Sequence, residues 1–80
     1  STQYILQYKI ARAQDASLNE QIRILEEYKE QEFTEKWSYE LAALYYKAGE
    51  KQKALDLCNE IILWFSEGKY VMKAYENAHG

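Results

Sequence analysis

The sequence predicts an all-α fold of stacked antiparallel helix pairs. Apolar residues recur every three or four positions along most of the 80 residues, the spacing that lays one stripe along a helix. Proline is absent and glycine occurs 3 times, too little punctuation for the many turns of an all-β chain. The rhythm breaks only briefly, so the connections are short and neighbouring helices run antiparallel.

The first helical stretch covers about 2–14, with Tyr4, Ile5, Tyr8 and Ala11 on one side. Asp15-Ala16 interrupts it. Ser17, with Glu20 three residues on, reads as a capping box in which hydroxyl and carboxylate each satisfy an orphan N–H. It opens a second helix over about 18–31 with Leu18, Ile22, Leu25 and Tyr28 buried. The opposite face holds Glu20, Arg23, Glu26, Glu27 and Glu30, a solvated charged surface.

Phe33-Thr34 breaks the pattern, Thr34 as N-cap and Glu35 as a favourable acid in the next first turn. The third helix runs about 35–48 with Trp37, Leu41, Leu44, Tyr45 and Ala48 at helical spacing. Gly49 supplies the left-handed position that ends it. The fourth, about 51–66, presents Ala54, Leu55, Cys58, Ile61, Ile62 and Phe65. From Ile61 it is apolar nearly all round, which predicts burial between neighbours. Gly68 closes it, and a fifth helix over about 69–78 offers Tyr70, Val71, Ala74 and Ala78.

Composition narrows the function. Hydrophobic residues make up 48% and charged residues 29%, the balance of a folded globular chain. A net charge of −3 argues against binding a nucleic-acid backbone. A helix-turn-helix reader would use the fourth helix, whose exposed Asp56 and Glu60 repel phosphates. The single cysteine excludes an intramolecular disulfide and fits a reducing, cytoplasmic setting. The most apolar run, Ile61 to Phe65, falls far short of the ~20 residues that span a bilayer, so no membrane insertion is expected. No signal segment is visible, and a start at Ser1 without methionine suggests a piece of a longer protein.

Catalytic chemistry finds little footing. His79, the only histidine, reads as a solvated tail residue. Cys58 lies on an apolar stripe without a cation to lower its pKa, as a small core residue does. Glu26 and Glu30 stand i, i+4 but no histidine joins them as a metal ligand. With no glycine-rich loop and no Cys or His cluster, neither enzyme activity nor a cofactor is expected.

Sliding the chain by 33 positions aligns Tyr4 with Trp37, Tyr8 with Leu41, Ala11 with Leu44, Ile22 with Leu55, Leu25 with Cys58 and Tyr28 with Ile61. Between Glu35 and Gly68, the residues Trp37, Leu41, Ala42, Tyr45, Gly49, Ala54, Cys58 and Ile61 resemble a tetratricopeptide repeat. The resemblance implies units at about 2–33 and 35–68 with a closing helix at 69–79, all within one domain spanning 1–80. It also implies that Ala42 and Ala54 let paired helices approach and that Tyr45 fills the space where they diverge. The first unit departs from the pattern, with Ala13-Gln14-Asp15-Ala16 at its turn and Gln21 at the small-residue position.

Such arrays bind partners on the concave surface, which the resemblance maps to Lys36, Tyr39, Ala43, Tyr46 and Lys47. The family's clamp for a C-terminal carboxylate needs a Lys and an Asn where Tyr39 and Ala43 stand, so that ligand is not expected. Tyr39 and Tyr46 can equally pack against a further helix pair. Trp64 lies off the buried stripe and, with Tyr70 and Tyr75, forms a second adhesive patch. The expected function is a protein–protein interaction module for a partner's peptide or helix. The alternative is a spacer or self-association segment of a larger regulatory protein.

Overall fold

In a computed structural model that describes residues 2–65, all regular structure is helical. The helices are α1 (Thr2–Ala13), α2 (Leu18–Gln31), α3 (Glu35–Lys47) and α4 (Lys51–Trp64). The predicted fifth helix with Tyr70, Val71, Ala74 and Ala78, its preceding Gly68, and Tyr75 and His79 lie outside the described residues.

Local chemistry sets the ends. The Ser17 hydroxyl accepts the Glu20 N–H at 3.2 Å and caps α2. The second half of the capping box differs from expectation, because the Glu20 carboxylate pairs with Arg23. Thr34 occupies the N-cap of α3 in extended backbone, yet its hydroxyl is buried and makes no cap bond. Gly49 turns the chain between α3 and α4 at φ 83°, and Asp15 adopts φ 54° in the corresponding turn before α2. Aspartate tolerates that conformation better than most residues, so the chain turns between α1 and α2 without glycine.

α1 packs on α2, α2 on α3 and α3 on α4. The most deeply buried side chains, Tyr8, Leu25, Leu41, Cys58 and Ile61, come from all four helices and make one core. Burial of each large aliphatic side chain contributes about 1.5–3 kcal/mol. α2 and α4 share much of a burial pattern. Gln21, Ile24, Leu25 and Tyr28 are buried in α2, and Ala54, Leu57, Cys58 and Ile61, each 33 positions on, are buried in α4, whereas buried Ile22 corresponds to half-buried Leu55. Gln21, at the place of Ala54, satisfies its buried amide by donating to the Ala16 carbonyl at 2.8 Å.

α3 lies between α2 and α4 and buries a broad face of Ser38, Leu41, Ala42, Leu44 and Tyr45. α1 is flanked by α2 alone among the strongly packed pairs, and Leu6 and Ile10 on its outer side stay exposed. The end of α4 departs from the expected burial between neighbours. Ile61 is fully buried, but Leu63 is 77% and Trp64 67% exposed. Only α3 packs closely on α4 among the described elements, so one side of its last turn is uncovered. Phe65 turns inward, its ring 5.2 Å from that of Phe33 in the α2–α3 connection.

Candidate functional site

A groove between α3 and α4 gathers four of the six residues that the sequence singles out. Tyr39, Ala43, Tyr46 and Lys47 come from one face of α3, at the three-and-four spacing that aligns side chains on a helix. Across from them stand Lys51, Ala54, Leu55 and Cys58 of α4. Together with Ala42 they line a cavity of about 360 Å³, within the size range of ligand clefts. Its floor is low because Ala42 and Ala54 are small and buried. Tyr46 stands 64% exposed at its edge.

The tight α3–α4 turn places two cations at one end of this groove. Lys47 closes α3, Lys51 opens α4, and only Ala48, Gly49 and Glu50 separate them. Neither lysine is in an ion pair among the described residues. Glu50 occupies the N-cap of α4 without a side-chain cap bond, and no acid stands in the first turn of that helix. Lys47 lies in the last turn of α3, where a cation also stabilises the helix end.

Lys36 and Trp64 are not part of the groove lining. The Lys36 ammonium lies 4.9 Å from the centre of the Trp37 ring, a cation–π contact that turns it toward its own neighbour. Trp64 is exposed at the far end of α4, as its position off the buried stripe predicts.

A smaller polar cleft of about 260 Å³ adjoins the groove, with Ala43 and Lys47 lining both. In it the Tyr8 hydroxyl donates to Glu40, which also pairs with Arg12 at 3.2 Å. Burial, then the hydrogen bond and charge of Glu40, hold the Tyr8 phenol well above its ordinary pKa, against the opposing pull of Arg12. On the other side of α3, Tyr45 donates to Glu26 at 2.5 Å. Burial and then Glu26 raise that phenol in the same way. Both phenols therefore stay protonated and act as donors that tie helices together, not as bases.

These pairs correct the expectation of a wholly solvated acidic face on α2, since Glu26 is a tertiary acceptor. Sequence spacing shows a tyrosine on a core stripe but not which carboxylate meets its hydroxyl. Glu60, expected as an open acid on α4, pairs with Lys29 at 3.3 Å. Cys58 is a buried thiol in the groove wall. No group of three His, Cys, Asp or Glu side chains converges as a metal site among the described residues. No helix among them is long and apolar enough to cross a membrane.

Comparison with protein-family models, curated proteins and solved structures gives no match.

Proposed function

We propose that this all-helical chain is a protein–protein interaction module, a short tetratricopeptide-like array without enzyme activity, that takes a peptide or helix of a partner along α3. The observation that supports it most directly is the α3–α4 groove, where Tyr39, Ala43, Tyr46 and Lys47 meet an apolar wall of α4. Tyrosine beside small residues is a frequent composition of interaction hot spots, since its ring offers area at little entropic cost. The burial of four matching positions in α2 and α4 at an offset of 33 residues supports the repeat. A lone buried thiol supports a cytoplasmic setting.

The test is the double substitution Tyr39→Ala with Tyr46→Ala. Circular dichroism first establishes that helix content is kept. Capture of partner proteins by the folded variant should then fall sharply relative to the wild type. A folded variant that retains every wild-type partner would remove the groove from the function and move attention to Trp64.

Exposed Leu6 and Ile10 on α1 and Leu63 and Trp64 on α4 favour a second function, self-association or spacing within a larger regulator. Sedimentation over a range of concentrations separates the two, because a mass that stays constant rules out self-association.

A further inference from the structure

The charge of the groove differs from that of the chain. The protein as a whole carries −3, yet the groove lining holds Lys47 and Lys51 and no carboxylate. Several acidic side chains elsewhere have partners of their own. Glu20 and Glu27 meet Arg23, Glu26 meets Tyr45, Glu32 meets Tyr28, Glu60 meets Lys29, and Glu40 meets Tyr8 and Arg12. Lys53 is drawn off as well, its ammonium 5.8 Å from the Tyr45 ring centre. What remains at the turn end of the groove is a pair of lysines in no ion pair among the described residues, with the Glu50 carboxylate at the turn but outside the groove lining.

The walls specify the shape of an occupant. Both are helices, whose backbone groups bond internally, so no strand edge exists for an extended peptide to extend. An incoming helix keeps its own backbone satisfied and needs only a low apolar floor, which Ala42, Ala54 and Leu55 provide. We propose that the α3–α4 groove takes an acidic amphipathic helix from a partner protein, its apolar stripe on Ala42, Ala54 and Leu55 and its carboxylates against Lys47 and Lys51. This assignment rests on the groove being the interaction surface proposed above. The chain's overall negative charge does not forbid it. Beyond a Debye length of about 10 Å at 0.1 M salt the distant acids are screened, while the two lysines act at contact. Binding should accordingly weaken as salt rises.

The probes are three synthetic amphipathic helix peptides of leucine and alanine whose polar face carries glutamate, lysine or glutamine. Each is titrated into the full chain and followed by nuclear magnetic resonance. The glutamate peptide should bind at least about tenfold more tightly than the lysine peptide, a difference of roughly 1.4 kcal/mol, and should shift Ala54, Leu55 and Tyr46. Lys47→Glu with Lys51→Glu should reverse the order. Lys51→Glu alone places an acid in the first turn of α4, which favours the helix, and it should narrow the preference without loss of fold.

Equal binding of the glutamate and lysine peptides, abolished by Tyr39→Ala with Tyr46→Ala, overturns the acidic assignment and leaves the groove as an interaction surface. Binding that none of these substitutions alters, or no binding by any peptide, overturns both. Nuclear Overhauser contacts from the Leu55 methyls to residues 66–80, or to a second copy of the chain, also overturn the proposal, because the groove then has another occupant.

Discussion

The Tyr8 phenol donates a hydrogen bond to the Glu40 carboxylate 32 positions away, joining α1 to a helix that does not follow it in the chain. The Tyr8 ring is buried and meets Trp37 edge-on with centroids 5.9 Å apart. The aromatic body thus serves the core while the hydroxyl finds an acceptor at its margin. Tyr45 and Glu26 repeat the arrangement between α3 and α2.

Glu40→Ala should destabilise the chain by about 1–3 kcal/mol, because the buried Tyr8 hydroxyl loses its acceptor. Glu40→Gln keeps a carbonyl oxygen in reach and should lose less. Urea midpoints of the two variants provide the comparison, and equal midpoints would show that the bond is idle.

Alkaline pH should weaken the fold. Tyr8 and Tyr45 have folded-state pKa values above the unfolded value of 10.0, so the native state holds their protons longer. Their contribution is complete below pH 10 and declines as pH rises toward the folded values, because there the unfolded chain binds fewer protons. Denaturation midpoints should fall progressively above about pH 10, and Tyr8→Phe with Tyr45→Phe should flatten that slope. An unchanged slope in the double variant would assign the alkaline loss to other groups.

Ser17→Ala should remove about 0.5–2 kcal/mol, since its hydroxyl accepts the Glu20 N–H at the start of α2. A thermal melt superimposable on the wild type would mean that the exposed cap contributes nothing.

Ala54→Leu should lose about 1–3 kcal/mol by overpacking, as Ala54 is 7% exposed between α3 and α4. A variant of full stability would mean that the helix pair tolerates a large residue there, contrary to tetratricopeptide-like packing.

Placement of the four described helices was legible to within two residues. The expected 18–31 is Leu18–Gln31, 35–48 is Glu35–Lys47 and 51–66 is Lys51–Trp64. Apolar spacing and end signals such as Ser17 and Gly49 act locally, so they can be read along the chain. Tertiary partners are not local. Glu26 and Glu40 look like any solvated acid on a helix until another helix brings a phenol to them. For the groove, the face of Tyr39, Ala43 and Tyr46 was readable, whereas its α4 wall was not. Leu55 and Cys58 belong to the apolar stripe of α4, and periodicity describes one helix at a time. Lys36 lies outside the groove lining, and spacing says nothing of the aromatic ring beside which its ammonium rests.

The way each helix rests on its sequence neighbours also sets how the chain assembles and comes apart. Contacts that run from α1 to α2 to α3 to α4 close short loops, so each can form soon after the one before it, and such low contact order goes with rapid folding. Disassembly should run in the opposite sense. α1, held mainly by α2 and by the Tyr8 tether, should exchange its amide hydrogens first, while the densely packed seam of α3 and α4 stays closed longest. Among the described helices the stack is therefore graded, looser at α1 and firmest around Leu41 and Cys58.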